Sequence, residues 1–236
     1  MDLSIIIPVY NEADKIARDI SEADDFLNRN GLTGEIIIVD DGSWDDTVQN
    51  AKGIASVIKS PLQVIEYIHK GKGRMVKTGI LQAISDIVMF IDSGSCVPYD
   101  NILPGLDLLR NDEYDILHGS RLLDGSKING KTRSRKIISW LFRRSISGWM
   151  RIPKYLTDTQ CGLKIYKREV AHTIYRGCIT NGFIFDIEII LRADKAGYRI
   201  KEFPIEWTAD PDSRLSIMKN FWQIIRELKK IKKELK

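Results

Sequence analysis

The stretch EIIIVDDGSWDD, Glu35 to Asp46, sets four β-branched residues, Ile36 to Val39, directly before Asp40, Asp41 and a Gly-Ser turn. A short apolar run closed by turn residues fits a strand covered on both faces. SIIIPVYNE (Ser4 to Glu12) and IVMFIDSGS (Ile87 to Ser95) repeat the form, each an apolar run that ends in polar side chains. In open α/β sheets, ligands bind outside the carboxyl ends of the strands. The repeated pattern therefore points to a fold class and to the edge where a site should lie.

Working outward, the pattern predicts strands at about 3–9, 35–40, 62–68, 86–92 and 114–119. Helical periodicity falls between them, near 12–29, 45–57, 73–84 and 100–111. Such alternation implies an α/β fold with a mainly parallel sheet and helices on both faces. The rhythm breaks after Arg121. A polar loop, Leu122 to Arg135, leads into an apolar helix carrying Trp140, Leu141, Phe142, Trp149 and Met150. DTQCGLKIY (Asp158 to Tyr166), a helix near 184–196, a strand over Arg199 to Trp207 and a basic terminal helix follow. We expect one domain over 1–215, with an elaborated C-terminal third, and a basic amphipathic helix over 216–236.

With 236 residues, 43% hydrophobic and 29% charged, the composition is that of an ordinary globular protein. No apolar run approaches the ~20 residues of a spanning helix, and no leader is expected ahead of the first strand. Cys96, Cys161 and Cys178 lack metal-ligand spacing, as do His69, His118 and His172. Reduced thiols and no histidine-based metal site are expected. Lys219 to Lys236 holds seven basic residues and two acidic ones, a balance of +5 against +4 for the whole chain. The basic character thus belongs to the tail and suggests an anionic surface there, with no nucleic-acid partner expected.

Asp40 and Asp41 can accept hydrogen bonds from a ribose or a base. Helix capping is the other reading of this loop, and it suits Ser43 as N-cap with Asp45 and Asp46 in the first turn. HKGKGRMVKTG, His69 to Gly79, places Lys70, Lys72, Arg74 and Lys77 among glycines at a helix start. Such a segment can cradle phosphate, or it can be a solvated basic turn. Asp92 ends the most hydrophobic strand, where a carboxylate can hold a divalent cation or simply form a turn.

Taken together and in order, SIIIPVYNE, IIIVDDGSWDDT, GKGRMVKTG, FIDSGS, GSR (Gly119 to Arg121) and DTQCGLKIY resemble family 2 glycosyltransferases of the GT-A fold. FDIEII and IKEFPIEW make the chain most similar to the dolichyl-phosphate or polyprenyl-phosphate sugar synthase branch. The resemblance covers roughly residues 3–215. It implies inverting transfer of a hexose from a UDP- or GDP-linked sugar to a polyprenyl phosphate, peripherally at the cytoplasmic membrane face. Pro8, Tyr10 and Glu12 would line the nucleotide, with Asp40 contacting the base or ribose, Lys72 near the base or ribose, and Asp41 and Ser93 among the binding residues. Asp92 would face Mg2+ or Mn2+ and the diphosphate. Asp158 and Gln160 would lie beside the sugar and acceptor, while Arg121, Arg135 and Arg214 would contact the sugar nucleotide or acceptor phosphate.

One departure stands out. The family presents Asp-x-Asp where this chain has Asp92-Ser93-Gly94. Loss of the second carboxylate weakens a hard-cation site. The ion would then arrive with the diphosphate, or Arg and Lys would neutralise the leaving group, or activity would be reduced to sugar-nucleotide binding.

The acceptor also matters. A saccharide hydroxyl needs a general base such as Asp158. A lipid phosphate, with a second pKa near ~6, is already ionised and needs positive charge instead. Arg121, Arg133, Arg135 and Arg214 suit that need, although Arg133 and Arg135 also read as solvated loop charges and Asp158 as a turn cap near Thr159. For Ile137 to Ile152 and for the terminal stripe Phe221, Ile224, Ile225, Leu228, Ile231 and Leu235, two roles fit the pattern. Each suits a lipid interface or a packed helix.

Overall fold

A computed structural model describes residues 1–130, 144–209 and 221–235. Seven strands form the main sheet: β1 (Leu3–Val9), β2 (Gly34–Asp40), β3 (Leu62–Glu66), β4 (Ile87–Ile91), β5 (Ile116–Ser120), β7 (Leu163–Lys167) and β8 (Ile200–Pro204). Their order is β3-β2-β1-β4-β7-β5-β8. All neighbours are parallel except at β7, which runs antiparallel to both β4 and β5. Two short strands, β6 (Lys127–Asn129) and β9 (Glu206–Thr208), pair separately.

The alternation of the strands divides the core in two. Ile5, Ile7, Ile36, Ile38, Met89, Leu163 and Ile165 pack on one face with α1 (Ile16–Arg29), α2 (Thr47–Gly53) and α4 (Leu103–Arg110). Ile6, Ile37, Val39, Val88, Phe90 and Tyr166 pack on the other with α3 (Lys72–Gln82), α5 (Arg168–Arg176), α6 (Phe185–Lys195) and α7 (Phe221–Glu234). The predicted α/β class, the mainly parallel sheet and the two helical faces are all present.

Several boundaries differ from the sequence reading, each for a local reason. The first helix begins at Ile16 instead of near residue 12: after Asn11, at a left-handed φ of 52°, residues 13–15 form a turn in which Lys15 N donates to Glu12 O at 2.9 Å. Helix α2 begins at Thr47, so Ser43 is not its cap; Asp45 Oδ1 accepts from Thr47 N at 3.1 Å instead. The strand expected over Arg199 to Trp207 divides at Ile205, where the chain leaves β8 and joins β6 through β9. Strand β7 and helix α5 carry no separate signal in the sequence reading.

The two candidate lipid-facing helices also pack inward where they are described. Ile224, Leu228 and Ile231 of α7 are at most 4% exposed. Lys232 Nζ donates to Trp149 O at 3.2 Å, and Lys195 Nζ to Leu235 O at 3.1 Å. Ile146, Met150 and Ile152 are likewise buried in the core, so this half of the 137–152 segment is a packed element. Trp140, Leu141, Phe142 and the arginines Arg133, Arg135 and Arg214 lie outside the described residues.

Candidate active site

The strand order reverses direction at β1 and β4, and the carboxyl ends of parallel strands at such a switch point form a crevice. Antiparallel β7 adds to the same edge by its amino end. That is why the segment before it, Asp158 to Gly162, arrives beside Asp92, which follows β4.

The loops after β1 and β2 are laced together. Asn11 N donates to Ser43 Oγ at 2.7 Å, Trp44 N to Asn11 Oδ1 at 2.9 Å, and Glu12 N to Thr47 Oγ1 at 2.7 Å. Tyr10 and His69 meet with ring centroids 4.7 Å apart. Pro8, Tyr10 and Glu12 are half-buried along this wall.

Asp40 and Asp41 are both nearly buried, and each oxygen already has an internal donor. Asp40 Oδ2 accepts from Gly42 N at 3.0 Å and Ser43 N at 2.9 Å, and its other oxygen accepts from the Ser43 hydroxyl. Asp41 Oδ1 accepts from Lys70 N at 2.6 Å, while Oδ2 lies 2.9 Å from His69 Nδ1 and 3.0 Å from Gly71 N. A carboxylate offers about four acceptor positions, so Asp40, with three donors, keeps one.

Of the basic cluster at the start of α3, only Lys72 aims at Asp92, its Nζ 2.5 Å from Oδ1. Lys77 instead donates to the carbonyls of Arg176 (3.2 Å) and Cys178 (2.7 Å). Arg74 lies over the Tyr67 ring, and its backbone N–H is taken by Asn181 O at 3.2 Å. The glycines here let the 181–182 backbone approach, which corrects the picture of an open phosphate cradle. Burial alone would lower the pKa of Lys72; the carboxylates of Asp92 and Asp186 outweigh it and hold the ammonium charged.

Asp92 owes its position to a glycine. A Cβ at Gly162 would fall 2.0 Å from Asp92 Oδ2, and Asp92 N donates to Gly162 O at 2.9 Å. Beyond Asp92 the loop turns towards α1. Gly94 sits at φ 90° and donates its N–H to Asp19 Oδ2 at 2.6 Å, while the Ser95 hydroxyl reaches Asp19 (2.9 Å) and Glu22 (2.5 Å). Ser93 stays half-buried at the rim.

Across the crevice, Arg121 grips Asp158. Nε donates to Oδ2 at 2.6 Å, a guanidinium N–H to Oδ1 at 2.8 Å, and the Arg121 backbone N–H to Oδ2 at 3.1 Å. A further guanidinium contact goes to the carbonyl of half-buried Gln160 at 3.3 Å, and the group lies 5.3 Å from the Trp207 ring centroid. Asp158 is fully buried, and Glu202 fixes its backbone N–H at 2.7 Å. Burial opposes the Arg121 charge, but Asp158 more than compensates and raises its pKa. The structure thus brings Arg121, Asp158 and Gln160 together as one unit, with Asp92 and Lys72 as another.

Two charged residues that the sequence reading missed lie beneath Lys72. Lys164 and Asp186 are 0% and 4% exposed, and Nζ meets Oδ1 at 2.6 Å. Among the described residues, no three or more His, Cys, Asp and Glu side chains gather as a metal site. Asp92 is already neutralised by Lys72, and Gly94 supplies no second carboxylate. Among the described residues, this strand end offers a divalent ion one carboxylate, already paired with Lys72.

The family model described as Glycosyl transferase family 2 matches residues 4–175. A dolichyl-phosphate beta-glucosyltransferase of Dictyostelium discoideum is 30% identical, covering 98% of this chain and 73% of that protein. The Drosophila melanogaster protein of the same name is 29% identical, covering 97% and 73%. Among solved structures, glucosyl-3-phosphoglycerate synthase from Mycobacterium tuberculosis, in complex with Mg2+ and uridine diphosphate, superposes with a TM-score of 0.69. It is 18% identical, covering 98% of this chain and 77% of that one. A complex of the same enzyme with Mn2+, UDP-glucose and phosphoglyceric acid gives 0.70 at 20% identity, covering 98% and 79%. At such identities the likeness speaks for the GT-A fold.

Proposed function

The chain belongs to glycosyl transferase family 2, and on that premise we propose that it moves a hexose from a nucleotide-diphosphate sugar to a dolichyl-type phosphate. It is a nucleotide-sugar-dependent glycosyltransferase. The names of its relatives make glucose the first hexose to test, and the UDP bound in the similar solved structures makes UDP the first carrier, with GDP as comparison.

The observation that carries the acceptor assignment is the state of Asp158. Both its oxygens are engaged by Arg121, so it is poorly placed to take a proton from an attacking hydroxyl. An ionised phosphate needs no such base. One of its oxygens attacks the anomeric carbon as the bond from that carbon to the nucleotide diphosphate breaks on the opposite face, inverting the centre. Asp40 accepts from the ribose or base beside Pro8, Tyr10 and Glu12, and Asp41 shapes the adjoining wall. Lys72 offers its charge to the diphosphate, with Ser93 at the rim. Arg121, fixed by Asp158 beside Gln160, lines the sugar and acceptor side, and Arg135 and Arg214 would add charge for the acceptor. A Mg2+ or Mn2+ ion would be held by Asp92 together with the diphosphate, where it would supply positive charge to the leaving group.

Among the described residues no helix is long and apolar enough to cross a membrane. The outer face of α7 exposes Arg226, Lys229, Lys230, Lys232 and Lys233. This face supports peripheral docking on an anionic surface, at the cytoplasmic leaflet where anionic lipids concentrate.

The test is calorimetry of UDP-glucose, GDP-glucose and GDP-mannose with Mn2+ or chelator, followed by transfer to dolichyl phosphate in detergent. We expect one nucleotide sugar to bind in chelator within about tenfold of its affinity with Mn2+, and lipid-linked product to form. Binding of none, under either condition, would remove the assignment. Transfer to a saccharide hydroxyl and not to the lipid phosphate would replace it with the hydroxyl-acceptor reading.

A further inference from the structure

Beside the crevice, three separate pieces of chain meet in one exposed strip. Ile68, just after β3, is 72% exposed, and His69 and Lys70 follow it in the open. The next residue, Gly71, is pressed onto the loop before α6: a Cβ there would fall 2.7 Å from Asn181 O and 3.5 Å from Gly182 Cα. Gly182 leans in turn on α7. A Cβ added to it would fall 2.7 Å from Glu227 Oε1 and 3.2 Å from Gln223 Nε2. Phe183 is 39% exposed, and Trp222, beside Gln223 in the first turn of α7, is 75% exposed. Close backbone approach thus joins the segments that carry Ile68, Phe183 and Trp222 along one border of the site. Lys72, which meets Asp92, stands one residue beyond Gly71.

A lone exposed apolar residue needs no explanation, but an apolar strip rimmed by polar groups marks an interaction surface. The charges indicate what it meets. Lys70 and Arg226 are exposed along the strip, whereas Glu227 is half-buried against Gly182. From Trp222, helical spacing carries the same side of α7 through Arg226, Lys229, Lys230 and Lys233, all exposed. Apolar and aromatic side chains set among basic ones suit the boundary between headgroups and acyl chains, where the cations meet anionic lipid.

We propose that this strip is a membrane-contact surface: Ile68, Phe183 and Trp222 enter the interface of an anionic bilayer and hold the mouth of the crevice at headgroup level. The basic side of α7 attracts the protein to the surface, and the strip fixes which way the bound protein faces. A lipid phosphate then meets the crevice without its chain leaving the leaflet. The inference rests on the reading of the chain as a lipid-phosphate transferase that docks peripherally.

Single cysteines carrying the environment-sensitive fluorophore NBD read which residues enter lipid. Native Cys96, Cys161 and Cys178 are at most 8% exposed and stay unlabelled in the folded protein. Ile68→Cys, Phe183→Cys and Trp222→Cys should each brighten at least about twofold, with a blue shift, on phosphatidylserine-rich vesicles. Val57→Cys and Ile84→Cys, exposed before β3 and β4 at the opposite edge of the sheet, should not respond. Ile68→Ser, Phe183→Ser and Trp222→Ser combined should cut kcat/KM about tenfold for dolichyl phosphate in vesicles. UDP affinity, and the rate with the same acceptor in detergent, should hold. Flotation with all three strip labels silent would overturn the proposal and leave docking to α7 alone. Equal brightening at all five positions would mean adsorption without orientation and would overturn it too. So would brightening that follows protein concentration without vesicles, which reports contact between copies, or full activity of the combined variant on vesicles. Failure to float at all would overturn peripheral docking itself. Strip labels that respond in a wild-type background inactive towards dolichyl phosphate in detergent would overturn the transferase reading alone.

Discussion

Asp158 and Gly162 lie four residues apart, and each fixes one side of the crevice. Because Arg121 occupies both oxygens of Asp158, replacing the carboxylate with an amide should disturb position more than proton transfer. Asp158→Asn should keep measurable transfer to dolichyl phosphate, with kcat/KM reduced about ten- to a hundredfold and the pH profile of kcat/KM unmoved, as initial rates between pH 5.5 and 9 would report. An acid limb that disappears with this substitution would restore Asp158 as the base. Gly162→Ala is the sharper lesion, since its new methyl would lie 2.0 Å from Asp92 Oδ2. Asp92 must move, and overpacking of this kind costs about 1–3 kcal/mol. Thermal unfolding should show that modest loss, while UDP affinity falls by more than tenfold because Lys72 loses its anchor.

Helix α7 shows how far an amphipathic pattern can be taken. Its apolar stripe is legible in the sequence, but the pattern is the same whether lipid or protein covers it. Packing decides: Leu228 and Ile231 are fully buried. Leu228→Ala should therefore destabilise the fold by about 2–5 kcal/mol, visible as a lower Tm, because it opens a cavity in the core. Reversing Lys229, Lys230 and Lys233 to Glu, on the exposed side, should leave Tm within a degree or two and abolish flotation with vesicles rich in phosphatidylserine. Each basic residue near such a surface contributes about 1 kcal/mol. Flotation retained by the triple variant would remove α7 as the docking element. Strand β7 marks the opposite limit. Its direction leaves no local trace in the residues Leu163 to Lys167, and a buried lysine at its second position breaks the apolar run that identified the other strands. Yet its antiparallel course is what brings Asp158, Gln160 and Gly162 to the site, so these residues were recognisable only by resemblance. The pairing of Lys164 with Asp186, 22 residues apart, arises only when α6 packs against the sheet.

Across the whole molecule the two ends of the sheet are held by different means. The carboxyl end, with its crevice, gathers buried charges around a ligand site, and acidic strand ends announced it in the sequence. The amino end is closed by a small network of ion pairs that no motif signals. Asp115, just before β5, accepts from Arg199 N at 2.9 Å and from its guanidinium at 2.9 and 3.1 Å, and Lys167 at the end of β7 lies 3.2 Å away. One carboxylate thus joins β5, β7 and the approach to β8. These bonds to Arg199, and then to Lys167, hold the Asp115 pKa far below the usual carboxylate value near ~3.9, although partial burial opposes them. A carboxyl group whose pKa is depressed by folding contributes stability that is complete above its unfolded value and is lost as pH falls towards the folded one. Asp115→Asn should accordingly lower Tm at pH 7, and the gap from the wild-type protein should narrow steadily below about pH 4. Thermal melts at pH 7, 5, 4 and 3 would follow it; a gap that stays constant through that range would mean that the carboxylate charge has no part in closing this edge of the sheet.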